Sequence, residues 1–324
     1  MPPDLGGSAL DAVVRAAFEL SWGRARELIR RGKVSVDGRT ALEPVKRVRA
    51  GAEVTLDMGA RRPKAAAMEL PEGALVDVDP HFVVVEKPSG IGTVPFDPGG
   101  MGASIARRAQ PGEEATLDER VRAALARRER TSGVAPSLGV VHRLDKETSG
   151  LIVFTRTWAA KKILMQAFRQ HTIHRRYLAI VHGDAKAGTI RSHFVDDRGD
   201  GLRGSIERRA GRKKPVGSEK GQLAITHLEV VERLRGPGVG PCTLVACRLE
   251  TGRTHQIRIH LAEAGHPVVG DRVYVRGYRG TVVPAPRLML HAAELGFAHP
   301  ATGEELRWES PLPGDMEALL VSLR

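Results

Sequence analysis

Residues 140–157, VVHRLDKETSGLIVFTRT, gather His142, Arg143, Asp145, Lys146, Glu147, Thr148 and Ser149 into one polar stretch between two apolar runs. A loop held by rigid strands is where reactive side chains tend to be presented. On residue types alone, HRLD is either a salt-bridged strand end or a reactive carboxylate with its partners. The spacing around His142 and Asp145 is not that of a metal site, and the lone Gly150 does not make a phosphate cradle. A second stretch, residues 249–274, reads LETGRTHQIRIHLAEAGHPVVGDRVY. If QIRIHL is extended, Gln256, Arg258 and His260 share one face. A buried Arg258 then needs an anion, and Asp145 is a candidate. An aspartate beside an arginine stays ionised at neutral pH, as a carboxylate nucleophile must.

These residues need a scaffold. With 324 residues, 41% of them hydrophobic, the chain has room for one large and one small domain. Lys and Arg number 50 against 38 Asp and Glu, a formal charge of +12, which favours a polyanionic partner, nucleic acid first. The only cysteines, Cys242 and Cys247, have no zinc-ligand pattern and read as small apolar residues in or near a strand. Too few for a disulfide framework, they fit a reducing cytosol. MPPDLGGSALDAVVRAAFEL lacks the order of a signal peptide, and no uncharged apolar run approaches the length of a membrane span. A cytoplasmic protein is expected.

The first 57 residues predict helix, helix, hairpin and strand. Leu10, Val13, Val14, Ala17 and Phe18 have helical spacing; Ser21 can cap a second helix that Gly32 ends; Asp37-Gly38 is a two-residue hairpin turn; Val54–Leu56 closes the unit. Arg24, Arg26, Arg30, Arg31, Lys33, Arg39, Lys46, Arg47 and Arg49 would make a basic surface able to track phosphates. Residues 58–71 read as a linker, and 72–324 as the second domain. There, strands are expected at Phe82–Val85, Gly139–Leu144, Leu151–Phe154, Tyr177–Val181, Gln222–Val231 and Thr243–Glu250. Helices are expected over DERVRAALARRE and Trp158–Arg169, and residues 203–220 read as a mobile basic loop. Strands and helices do not alternate regularly, which argues for α+β.

HRLDKETSG resembles the HRLDxxTSG motif of RluA-family pseudouridine synthases. FVVVEKPSG (82–90), IHRRYLAIVHG (173–183), GQLAITHLEV (221–230), TGRTHQIRIHLAEAGHPVVGDRVY and RLMLHAAELGFAHPATGEEL (287–306) resemble other motifs of that family, in family order, with Arg175 where lysine is usual. SWGRARELIRRGKVSVDGR followed by VRAGAEVTL resembles the S4 RNA-binding domain, with Asp37 where Asn is frequent. The resemblance implies a mixed, mainly antiparallel sheet flanked by helices and loops, with a central RNA cleft. It implies isomerisation of uridine to pseudouridine, a redox-neutral change calling for no cofactor and no metal. By the same transfer Asp145 is the nucleophile, Tyr177 packs on the base, Arg258 pairs with Asp145, and Arg143 fills the gap left by the extracted base. His142, Arg253, His255 and Gln256 are assigned to substrate binding, and Arg24, Arg26, Arg30, Arg31, Lys33 and Arg39 to RNA. Large-subunit ribosomal RNA is the expected substrate and a monomer the expected state. Transfer RNA, or a catalytically idle RNA-binding or ribosome-assembly factor, are the alternatives.

Overall fold

The computed structural model describes residues 7–42, 44, 46–60, 69–95, 115–130, 136–208, 221–236 and 239–324, with the side chains of Arg30 and Arg208 outside the described set. The chain forms two compact units, Met1–Leu70 with Val94–Ala124, and Pro71–Thr93 with Leu125–Arg324. The core of the expected linker, 61–68, and residues 209–220 of the expected basic loop lie outside the described residues.

In the first unit, α1 (Leu10–Ala17) and α2 (Trp22–Arg30) are followed by β1 (Val34–Val36), β2 (Arg39–Thr40) and β3 (Val54–Leu56), the strands in order β2-β1-β3. Ser21 Oγ accepts the Arg24 amide and so caps α2, while Gly32, at φ +71°, ends it. Asp37 and Gly38 have φ of +51° and +73°, the turn that joins β1 to β2 with Val36 opposite Arg39. Leu10, Val13, Val14, Ala25, Leu28, Ile29 and Val34 are among the residues of its buried core.

The second unit is built on one sheet that contains, among the described residues, 11 strands in the order β10-β9-β11-β12-β8-β13-β7-β5-β4, with β14 on β13 and β6 on β7. In chain order these are β4 (Leu75–Val78), β5 (Phe82–Lys87), β6 (Gly139–Val140), β7 (Ser149–Thr155), β8 (His174–His182), β9 (Gly188–Val195), β10 (Gly204–Ser205), β11 (Gln222–Leu234), β12 (Cys242–Leu249), β13 (Leu290–Ala298) and β14 (Glu305–Glu309). All pairings are antiparallel except β13 with β7. The helices of this unit are α4 (Trp158–Arg169), α5 (Gln256–Glu263) and α6 (Gly314–Leu323), while α3 (Leu117–Arg128) has its residues up to Ala124 in the first unit. Strand β7 is buried at every residue, and Phe82, Val84, Leu151, Val153, Leu164, Ile173, Leu295 and Phe297 pack as one core cluster. Gly150 is required where β7 meets β13: at φ +111°, a Cβ there would lie 2.3 Å from the Ala292 carbonyl oxygen.

Three expectations change. QIRIHL is not extended; it is the buried helix α5, so Gln256 and His260 lie one turn apart and Arg258 points elsewhere. Ile257, Ile259 and Leu261 are buried along with Gln256, Arg258 and His260, and a helix buried all round carries no stripe to betray its period. The strand expected at Gly139–Leu144 stops at Val140, because the next amide of β7, that of Val153, donates to His142 Nε2 (3.1 Å) rather than to a main-chain carbonyl. The basic loop does not begin at 203: Gly204–Ser205 is a strand, and Ser205 is tied to Glu263 through both its amide and its hydroxyl.

Candidate active site

Asp145 sits in the loop between β6 and β7, and the turn after β5 clamps that loop. Lys87, fully buried, donates from Nζ to the carbonyls of Pro88 and Lys146 (3.0 Å each). Ser89 Oγ donates to Glu147 O (2.7 Å), and the Gly90 amide donates to Lys146 O (2.8 Å). Thr93 Oγ1 donates to Leu144 O (2.8 Å) and accepts from the Leu144 amide (3.2 Å). The residues on both sides of Asp145 are therefore fixed by the KPSG turn and its continuation. Burial lowers the Lys87 pKa to about 7, against the opposing pull of Asp145.

Two groups face the Asp145 carboxylate. Arg258 Nη1 is 3.7 Å from Oδ2, and His255 Nε2 is 4.0 Å from Oδ1. Arg258 is nonetheless committed first to another partner: Nε and Nη2 donate to Asp271 Oδ2 and Oδ1 at 2.7 and 2.9 Å. Asp271 Oδ1 also accepts the Val273 and Tyr274 amides, and its side chain is fully buried. Burial opposes the charge on both Arg258 and Asp271. Their mutual hydrogen bonds outweigh it, raising the arginine pKa and lowering the aspartate pKa. Pairing of Arg258 with Asp145 is thus the weaker arm of an Asp271–Arg258–Asp145 chain. Asp271 was not a sequence candidate; the clue was GDRVY, an acidic residue in a turn close after the helix that carries the arginine.

Tyr177 lies in β8 between Cys247 of β12 and Ala292 of β13, 7% exposed. Burial raises its pKa, so the phenol stays neutral. His255 adopts the left-handed conformation at φ +57°, with Nδ1 2.9 Å from the Tyr274 hydroxyl. Tyr274 is pushed up to about 12 by burial and keeps its proton. Arg143 is exposed, with no ion pair among the described residues.

Two of the side chains expected at the substrate are engaged in holding the fold. Gln256 donates to Ile225 O and Thr226 Oγ1 and accepts from Thr251 Oγ1 and the Arg253 amide, which exhausts its capacity. His142 holds the Val153 amide and stacks on Phe168 with centroids 4.6 Å apart; burial lowers its pKa to about 3. Arg253 is exposed and anchors the 251–256 loop through Nε to Leu223 O (3.0 Å).

On the first unit much of the expected basic face is paired. Arg24 and Arg31 meet Glu27, Arg26 meets the buried Asp11 carboxylate, and Arg49 meets Asp37. Lys33 donates to the carbonyls of Met58 and Ala60. Arg39 is exposed on the hairpin, and the Arg30 side chain lies outside the described residues.

Residues 81–263 match the RNA pseudouridylate synthase family, and residues 10–54 match the S4 domain. This chain belongs to the RNA pseudouridylate synthase family. It is 34% identical to ribosomal large subunit pseudouridine synthase D of Xanthomonas campestris pv. campestris, over 100% of this chain and 91% of that protein. It is equally 34% identical to the protein of that name from Pseudomonas aeruginosa, over 100% of this chain and 94% of the relative. The solved structure of Human RNA Pseudouridylate Synthase Domain Containing 4 shares the fold, with a TM-score of 0.56 at 22% identity over 77% of this chain and 92% of that one. This pseudouridine synthase is thus an RNA-modifying isomerase with an S4 domain at its front.

Proposed function

We propose that this pseudouridine synthase isomerises uridine in large-subunit ribosomal RNA, with Asp145 as nucleophile, in the cytoplasm and as a monomer. We further propose that residues 1–57 bind RNA, that residues 72–324 carry the chemistry, and that 58–71 link them. The observation that carries the catalytic assignment is the Asp145 carboxylate, anchored through the main chain on both sides and facing Arg258 Nη1 at 3.7 Å. The RNA class follows from the relatives named for the large ribosomal subunit.

Isomerisation detaches uracil at ring nitrogen 1, turns it and rejoins it through carbon 5. The carboxylate adds to carbon 6, attacks the anomeric carbon of ribose, or takes the ribose 2′ proton. Each route needs Asp145 ionised and the uridine out of its stack, which costs a few kcal/mol. Arg258 holds positive charge beside the carboxylate, the neutral Tyr177 ring stacks on the freed base, and exposed Arg143 enters the gap. Stacking on an aromatic side chain is worth roughly 1–3 kcal/mol, enough to offset much of the extraction.

Tritium release from RNA labelled at uridine carbon 5 tests this reading. Release is expected from unmodified large-subunit RNA and not from transfer RNA, and Asp145→Asn should abolish it while retaining RNA binding. Turnover by the variant above about one per cent of wild type would remove Asp145 from the role of nucleophile. Release from transfer RNA alone would overturn the substrate class, and none from any RNA would leave a binding factor.

A further inference from the structure

Arg175 is buried without a counter-ion. It lies on β8 two residues before Tyr177, so the two share a face of the strand, and it is 7% exposed. Its Nε is the sole buried side-chain polar atom among the described residues with no hydrogen-bond partner. Nη2 reaches the carbonyls of Leu249 and Glu250 only at 3.4 and 3.5 Å, and no carboxylate pairs with it among the described residues. The Phe168 ring, 5.4 Å from the guanidinium carbon, gives it a π face but no acceptor. A buried guanidinium in this state is costly for the free protein and is resolved when an anion arrives.

The surroundings are those of an anion site. Arg175 lines a partly open cleft of about 200 Å³ together with Arg248, which is exposed and unpaired among the described residues. Of the other titratable groups of the cleft, Glu250 is paired with His227 at 2.6 Å and His174 with Glu294 at 2.8 Å, while His171 is exposed. Arg175 is thus left with an unanswered charge at the edge of this space, and a guanidinium fork matches phosphate oxygens. On its other side Arg175 lies against the 251–256 loop: a Cβ on Gly252 would be 3.2 Å from Nη1, so a glycine there leaves the arginine its room. That loop carries His255, and Arg175 shares its strand face with Tyr177 two residues on. The cleft therefore opens at the rim of the site that takes the uridine.

We propose that Arg175 binds a phosphodiester of the RNA strand beside the target uridine, so that the strand's backbone is held while the base is turned. This rests on the RNA-isomerase reading above. Large-subunit RNA transcribed without modification serves as substrate, with tritium release and filter binding as readouts. Arg175→Met should raise KM roughly 10- to 100-fold, the range for loss of a charged hydrogen bond, with kcat nearly unchanged. It should also reduce the log–log salt slope of binding by about 0.7 to 0.9. Arg175→Lys should restore most of the affinity. Because the variant removes an unpaired buried charge, its melting midpoint should equal or exceed that of wild type. Inorganic sulfate should raise the wild-type midpoint more than that of Arg175→Met.

An unchanged KM and salt slope in Arg175→Met overturns the proposal. So does a fall in kcat together with a lower melting midpoint, which marks a purely structural arginine. Stabilisation by sulfate through Arg175 with an unchanged RNA salt slope would mean a free-anion site and also overturns it. If wild type releases no tritium from the transcript, the substrate assignment fails separately, while the binding and sulfate arms still read the arginine.

Discussion

At the scale of single residues, the arrangement around Asp145 divides labour between two aspartates. Asp145 is partly open, at 18% side-chain exposure, while Asp271 has none and accepts the paired donors of Arg258. Asp271 therefore fixes which way the guanidinium faces, and Nη1 is what it leaves for Asp145. Arg258→Met should abolish activity and destabilise the protein by about 3–5 kcal/mol, since it leaves the Asp271 carboxylate buried and unpaired. Asp271→Asn should do likewise from the other side. Combined, the two changes should cost less than the sum of the singles, because each alone strands the other's charge. Urea denaturation of the four proteins of this cycle measures the coupling; additive losses would mean that Asp271 and Arg258 act independently. The Asp145 loop stood out in the sequence because HRLDKETSG is a contiguous signature. Asp271 and Lys87 did not, because their roles depend on contacts 13 residues away in one case and 59 in the other.

At the scale of elements, the hydroxyl-bridged histidines are what tie helix and strands together. His260 of α5 sits between Ser192 Oγ of β9 and Thr226 Oγ1 of β11, at 3.0 and 2.8 Å. His291 of β13 sits between Ser149 Oγ of β7 and Ser310 Oγ, at 3.0 Å each. Both are fully buried, and burial holds each pKa down to about 4. An unfolded histidine titrates near 6.5. Below that value the unfolded chain binds protons that the folded one refuses. Stability is thus intact above about pH 6.5 and falls as the pH drops toward 4, by up to about 1.4 kcal/mol per pH unit for each histidine. Urea unfolding at pH 7 and pH 5.5 should reveal the loss, and His291→Gln should flatten it; equal stability at both values would contradict the linkage. Elements with a local signal were readable from the sequence: Trp158–Arg169 is α4 to the residue, and Ser21, Gly32 and Asp37-Gly38 do what their types suggest. Helix α5 was not, because its alternating apolar residues are all buried.

At the scale of the whole molecule, charge and core are distributed differently between the two units. The buried residues of the first unit's core cluster are drawn entirely from Leu10–Ala52, and those of a cluster in the second unit from Phe82 to Phe297. Residues 1–64 hold 13 Lys and Arg against 8 Asp and Glu, a net of +5. Several of these cations are engaged by Glu27, Asp37 and the buried Asp11, yet the exposed pairs, with Glu27 and Asp37, contribute about 0–1 kcal/mol and exchange readily for phosphate. Removing residues 1–64 should therefore weaken RNA binding and flatten its salt dependence. The loss of even two phosphate contacts would reduce the log–log slope by about 1.4 to 1.8. Asp145, Tyr177, Asp271 and Arg258 all lie past the cut, and so do the Lys87, Ser89 and Thr93 clamps. Single-turnover tritium release at saturating RNA should consequently persist in the truncated protein. An unchanged affinity and slope would deny the first unit its RNA role. Loss of the cooperative melting transition on truncation would show instead that the catalytic unit depends on the first for its fold.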